Sequence, residues 1–266
     1  MSRFKLLAQN IERLENQRIQ AIISCNNKKK RFAVHQPTFM PWSGLIHKAM
    51  QVDTLVLLDQ VQYPRGFSWI NRNRLKGMSG PVWFTIPVIK KGQGLQSIDQ
   101  VRVLNDPRRW RKHLMTLEHC YKNAPFFQEH FAFFEQLYTR ASEKLLYWNL
   151  AGIDHIFGSF DLPGSYLLQS EIRVKAKGTG LLVAIAERLD ANEFVAPRAG
   201  KGRVDTALLK EAGITVQWLD YQRPVYPQLW GEFIKDLSAT DLLFNCGPYS
   251  RTILERAQKQ GRVVVR

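Results

Sequence analysis

The chain reads as an α/β protein with a mainly parallel central sheet and an inserted helical lobe, and three observations predict this. Asp53-Thr-Leu-Val-Leu-Leu-Asp59 is an almost wholly apolar run of strand length bounded by acids. That is the pattern of an interior parallel strand covered on both faces. A strand and a short helix precede it within roughly 30 residues, the span of one βαβ unit. Strand-length and helix-length segments alternate again in the last third of the chain. At 266 residues and 45% apolar content the chain is long enough to bury a sizeable core. With 23% charged residues it does not have the composition of a disordered, collagen-like or disulfide-scaffold protein.

Taken in order, residues 4–23 place Leu6, Leu7, Ile11, Leu14 and Ile19 near helical spacing. With the basic run Lys28 to Arg31 behind it, this amphipathic segment makes residues 1–30 a basic N-terminal extension. The body, residues 31–250, opens with the short buried strand Arg31-Phe-Ala-Val-His35 and the turn-rich Gln36-Pro-Thr-Phe-Met-Pro-Trp-Ser43. A helix follows through Leu45, Ile46, His47, Lys48 and Met50, with Ser43 as its expected cap. Trp83 to Val88 reads as a strand, and Pro87 points to an edge or a strand end. About 106–155 is helical in texture, starting at Asp106-Pro107 and crowded with aromatics from Trp110 to Trp148, which are expected to pack inward. Helices over Leu181–Leu189 and Val204–Ala212 alternate with strands over Glu193–Ala196 and Ile214–Asp220. Ser238 and Asp241 look like a capping box for a short apolar helix, and 251–266 is a basic tail.

The formal net charge of +15 invites a polyanion as partner. Its distribution narrows that reading. Residues 1–31 carry eight basic and two acidic side chains, and 251–266 carry five and one. Residues 32–250 hold 25 basics against 20 acids, so a nucleic-acid-binding module is disfavoured there and a small phosphorylated ligand suits that span better. Three widely spaced cysteines form no metal-ligand or disulfide pattern. No run approaches the ~18 apolar residues of a membrane helix, and the opening segment lacks a signal-peptide shape. A cytoplasmic location without a membrane span is the expectation, and the oligomeric state stays open.

Four segments carry candidate chemistry. The first is the turn His35 to Gly44, at the exit of the opening strand, where ligands of open α/β sheets collect. His35 could serve there as acid or base. The second is Asp59-Gln60-Val61-Gln62-Tyr63, at the end of the next strand. The third is Ser68 to Gly77, in which Arg72, Arg74 and Lys76 at two-residue spacing share one face of an extended segment, a donor set suited to phosphates. The fourth runs from Tyr221-Gln-Arg-Pro-Val-Tyr226-Pro-Gln228 to Asn245-Cys246-Gly247. Phosphate-binding glycine loops, a GxSxG elbow and zinc-ligand spacings are absent from the sequence.

HQPTFMPWSGLIHKAMQVDTLVLLDQVQY, SWINRNRLKG, WFTIP, YQRPVYPQ and LSATDLLFNCG, in that order, resemble the WbqC-like protein family over about residues 32–250. The resemblance implies a bacterial enzyme of O-antigen or other lipopolysaccharide biosynthesis, a transferase acting on a nucleotide sugar. By motif it carries His35, Gln36, Pro37, Pro41, Gly44 and Lys48 as its opening signature. Asp59, Gln62, Asn71 and Arg72 form its second, and Tyr226, Gln228, Asn245 and Gly247 its last. Where the family has a Ser-Gly pair and a later Tyr, this chain has Ala196 to Arg203, which resembles a substrate loop. A weaker echo is of Rossmann-like adenylyl-transferring enzymes, of whose His-x-Gly-His only Gly44 remains.

The leading expectation is acyl or aminoacyl transfer onto an amino sugar nucleotide. His35 or Asp59 takes the proton, Arg72 and Arg74 hold the diphosphate, and the other motif residues bind substrate. Acyl-CoA and ATP-Mg²⁺ stay open as co-substrates; an ATP-dependent ligase or adenylyl-type enzyme is one alternative and a basic nucleic-acid-binding module the other.

Overall fold

The structure, a computed structural model, describes Gln17, residues 30–162 and residues 166–263. Apart from Gln17, the expected N-terminal helix lies outside the described residues. In chain order the elements are β1 (Arg31–His35), α1 (Ser43–Ala49), β2 (Thr54–Leu57), β3 (Arg72–Gly77), β4 (Gly80–Thr85), α2 (Pro107–Tyr121), α3 (Phe127–Arg140) and α4 (Leu145–Ser159). They continue with β5 (Tyr166–Leu168), α5 (Gln169–Ile172), α6 (Gly178–Leu189), β6 (Glu193–Pro197), α7 (Thr206–Glu211), β7 (Thr215–Leu219), α8 (Ala239–Cys246) and α9 (Ser250–Val263). Of the described residues, 30–35, 51–57 and 166–220 form one compact unit, and 36–50, 58–162 and 221–263 form a second.

The first unit is built on a five-stranded parallel sheet in the order β5-β2-β1-β6-β7. Thr54 to Leu57 are all buried, as an interior strand requires. Phe32 to His35 pair in register with Thr54 to Leu57. From β1 the chain winds outward to β2 and β5, then returns to add β6 and β7 on the other side. The fold is therefore α/β and its sheet consistent with a Rossmann-like arrangement. The β1–β6 ladder spans only Arg31↔Glu193 and Phe32↔Phe194, whereas β6–β7 stays paired through Pro197↔Leu219.

Local chemistry sets the ends of these elements. Asp53 accepts from the backbone N–H of Arg31 at 2.7 Å, the structural job expected of an acid at the start of β2. Asp205 accepts from the N–H groups of Ala207 and Leu208, which trims the helix expected over 204–212 to Thr206–Glu211. Gly213, at φ +74°, ends it.

The second unit contains the β3–β4 hairpin, antiparallel from Arg72↔Thr85 to Gly77↔Gly80, and helices α1–α4, α8 and α9. The strand expected over 83–88 thus ends at Thr85, short of Pro87, and belongs to this separate two-stranded sheet. Asp106 caps α2 through the Arg108 N–H with Pro107 in the first turn. Trp110, Tyr121, Phe127, Phe134, Tyr138 and Trp148 are buried together, the inward packing expected of helical aromatics; Tyr147 is exposed instead. Residues 250–263 continue as helix α9, whose Leu254 is buried.

Two caps differ from expectation. Residue Trp42, not Ser43, is the N-cap of α1, and the Ser43 hydroxyl shares a 2.6 Å hydrogen bond with Tyr221 Oη. Ser238 caps α8 through the Thr240 N–H, but Asp241 makes no reciprocal bond, because its carboxylate is taken by two tyrosines. Among the described residues no helix is long and apolar enough to cross a membrane.

Candidate functional site

In an open parallel sheet the natural binding position lies beyond the carboxyl ends of the strands where the winding reverses. In the first unit that position is between β1 and β6. His35, half-buried, is the last residue of β1, and the exposed turn Arg198–Arg203 follows β6. Arg198 grips Asp220 with two hydrogen bonds of 2.5 and 2.6 Å, which hold the Asp220 carboxyl below its usual range. Lys201 lies over the Trp218 ring at 5.6 Å.

All the other predicted site residues belong to the second unit. The turn after β1 is pinned there by amides: Asn149 Nδ2 donates to the carbonyls of Pro37 and Ile70 at 3.0 and 2.9 Å. Asn73 Nδ2 donates to Met40 O at 2.6 Å, holding Met40 at φ +45°, a strained region for a non-glycine residue. Gly44 is required by close approach, since a Cβ there would stand 2.5 Å from the Trp42 ring. Gln36 is half-buried and Gln62 exposed, in a bridge to Ser97. Asp59 is buried. Lys48 is buried as well, and desolvation pulls its ammonium down to about 8. A lysine so placed is partly neutral just above neutral pH and able to accept a proton.

Asn71 proves to be a fastener within the hairpin region. It accepts from Tyr63 Oη at 2.9 Å and donates to Ile86 O at 2.8 Å. Lys76, Tyr226, Gln228 and Asn245 are gathered into one buried network. Its hub is Asp241, fully buried, which accepts from Tyr121 Oη at 2.7 Å and Tyr226 Oη at 2.8 Å. Desolvation raises the Asp241 carboxyl above its ordinary range, opposed by those two hydroxyl donors. Lys76 Nζ donates to Gln228 Oε1 at 3.1 Å and to Glu232 O. Gln228 in turn holds both ends of Ile234, while Asn245 joins Leu229 N–H to Asp241 O. The face shared by Arg72, Arg74 and Lys76 therefore divides. Lys76 is only 1% exposed and its ammonium is engaged, so it anchors the 228–234 loop rather than offering a surface phosphate contact.

Arg72 and Arg74 lie elsewhere, among three exposed aromatics that the sequence reading missed. Phe67, Trp69 and Trp83 are 57%, 44% and 45% exposed, with ring centroids 5.3–5.6 Å apart. The Arg72 guanidinium sits 5.2 Å from the Phe67 centroid and 6.0 Å from that of Trp83. Arg74 sits 5.8 Å from Trp69 and 5.9 Å from Trp83, its cross-strand partner. Arg74 also donates to Asp236 O at 3.1 Å and lines a surface groove of about 510 Å³ with Arg223, Val225, Phe233 and Lys235. The available signal was the crowding of Phe67, Trp69, Arg72 and Arg74 into eight residues, large apolar groups beside cations in a short polar segment. Among the described residues no group of three or more His, Cys, Asp or Glu side chains is placed to hold a metal ion.

Comparison with known proteins agrees with this assembly of motifs. The WbqC-like protein family matches residues 36–253, a span taking in every predicted site residue but His35. The chain is 30% identical over 221 residues to an uncharacterized protein of Mycobacterium tuberculosis, Rv1507c, covering 82% of this chain and 94% of that one. No solved structure matches. The chain belongs to the WbqC-like protein family.

Proposed function

We propose that the protein is a group-transfer enzyme of bacterial surface-polysaccharide biosynthesis, placing an acyl or aminoacyl group on the amino group of a nucleotide-linked sugar. The observation that carries this reading is the position of His35, at the carboxyl end of β1 where the winding of a parallel sheet reverses. Membership of the WbqC-like protein family is compatible with this reading, whose pathway rests on what the sequence resemblance implies.

The chemistry requires a neutral amine. Its lone pair attacks the carbonyl carbon of the donor, an acyl-CoA thioester or an ATP-activated acyl group. The amine proton passes to a base, and the thiol or phosphate departs with the carbonyl bond restored. His35 or Asp59 receives the proton in this scheme, and Lys48, drawn down to about 8 by burial, is an added candidate for the same task. Arg72 and Arg74 hold the diphosphate, and Gln36, Gln62 and the neighbouring motif residues are assigned to substrate contacts.

The test is product formation by mass spectrometry, with purified protein, amino-sugar nucleotides, and either acyl-CoA or amino acid with ATP-Mg²⁺. His35→Ala and Asp59→Ala should each lower turnover by about 10²-fold or more with the chain still folded by circular dichroism. Undiminished turnover in both variants would overturn these roles, and no product from any donor would overturn the reaction.

A further inference from the structure

The aromatic-arginine face of the second unit carries more than a diphosphate contact. Exposed aromatic clusters are uncommon on a surface with nothing to bind. Phe67, Trp69 and Trp83 each leave about half of their surface in solvent. Beside them Arg72 and Arg74 each bury an Nε that has no hydrogen-bond partner. The Arg72 guanidinium lies over the Phe67 and Trp83 rings and makes neither a hydrogen bond nor an ion pair among the described residues. Buried polar groups are nearly always satisfied, so an orphaned donor on a cation marks the place of an absent acceptor. The rings offer planar apolar area while the guanidiniums offer a fork of donors for an anion. One ligand class has both a flat π-face and an anion at short range, namely a nucleotide.

We propose that Phe67, Trp69 and Trp83 form a stacking platform for the base of a nucleoside diphosphate, with Arg72 and Arg74 taking its phosphates. The groove bordered by Arg74, Arg223, Phe233 and Lys235 lies next in line and, at about 510 Å³, has room for the group that the diphosphate carries. This assignment deepens the proposed function and rests on it for the sugar part of the ligand, but the base and phosphate contacts stand on the platform alone.

Isothermal titration of the full chain with UDP, ADP, GDP and their sugar conjugates tests it, beside pyrophosphate, the nucleosides and short single-stranded oligonucleotides. Trp83→Ala and Trp69→Ala should weaken nucleoside diphosphate binding by about tenfold or more and leave pyrophosphate unchanged. Arg72→Gln should weaken both the diphosphates and pyrophosphate, and leave any nucleoside binding unchanged. Circular dichroism of each variant confirms the fold.

Nucleotide binding that none of the three substitutions moves would sink the platform while the proposed function survives. Platform-dependent binding of plain nucleotides, without conversion of any nucleotide sugar, would uphold the platform and sink the proposed function. Platform-dependent binding of phosphate-free saccharides alone, or oligonucleotide affinity far above that of any mononucleotide, would overturn the ligand class. Absence of any binding by the wild type would overturn both.

Discussion

Two polar regions of the second unit are built from the same motifs and behave oppositely. Around Asp241, the hydroxyls of Tyr121 and Tyr226, the Lys76 ammonium and the amides of Gln228 and Asn245 satisfy one another in the interior. On the hairpin, Arg72 and Arg74 lie at the surface among half-exposed rings with their Nε atoms unpartnered. One strand, β3, supplies both regions, Lys76 to the first and the arginines to the second. Belonging to a motif therefore does not separate scaffold from site. Satisfaction does: a closed network has nothing left to offer a ligand, whereas an orphaned donor beside exposed apolar area has both charge and surface to give.

The largest expected effect tests the closed side. Asp241→Ala strands two buried tyrosine hydroxyls and frees the 226–234 loop from its hub. A loss of about 4 kcal/mol in urea denaturation is expected, from roughly 1–3 kcal/mol for each buried group left unpaired. A loss below about 1 kcal/mol would show that the network is not what holds the loop.

Acidification comes next, because three histidines are packed near the helical aromatics. Burial pulls His113 and His155 down to about 4, and His130 is lowered too. His155 stacks on Phe133 at 4.0 Å and meets His130 at 3.2 Å between ring nitrogens. Below an unfolded value near 6.5 the unfolded chain takes up protons that the folded chain refuses. Stability is therefore full above pH 6.5 and declines as the pH falls towards 4. Thermal midpoints across that window measure the decline, and His155→Phe should flatten it. The rings and guanidiniums of the arginine face include no histidine, so any pH dependence traced to it would blur the contrast between the two regions.

Gly44→Ala sorts a motif residue between the two classes. A Cβ would stand 2.5 Å from the Trp42 ring, so a destabilisation of about 2 kcal/mol in the same denaturation assay places this glycine with the scaffold. The smallest effect belongs to the open side. Trp83→Ala and Arg72→Gln should each change stability by no more than about 0.5 kcal/mol, even where they abolish ligand binding. A larger loss in either would make the platform a packing device.

Much of the frame was legible. The Thr54–Leu57 run announces an interior strand because four consecutive buried positions leave no polar residue to face water. Asp106-Pro107 announces a helix start because the carboxylate accepts an orphan N–H and proline lacks one. What escaped was partnership at long range. Ser238 and Asp241 have cap spacing, yet Asp241 is claimed by Tyr121, 120 residues away in sequence. Ser43 has cap chemistry and position, yet its hydroxyl meets Tyr221. The exposure of Phe67, Trp69 and Trp83 was equally hidden, since two of these rings lie in the irregular segment before β3 and meet Trp83 of β4 only once the hairpin is placed.

By itself the sequence determined the parallel α/β frame, its winding units, the helical aromatic core and the family. Those follow from periodicity, turn chemistry and ordered motifs, which are properties of short stretches of chain. Only the tertiary structure decided which of the motif's polar residues are closed on one another and which remain open. Hydrogen-bond satisfaction is a property of pairs brought together from distant positions, and no local pattern encodes the far partner. The same Arg-x-Arg-x-Lys alternation thus ends as two cations at the aromatic face and one buried anchor, because Gln228 and Glu232 claim the Lys76 ammonium while Arg74 donates to Asp236 O and the Arg72 guanidinium lies against rings alone.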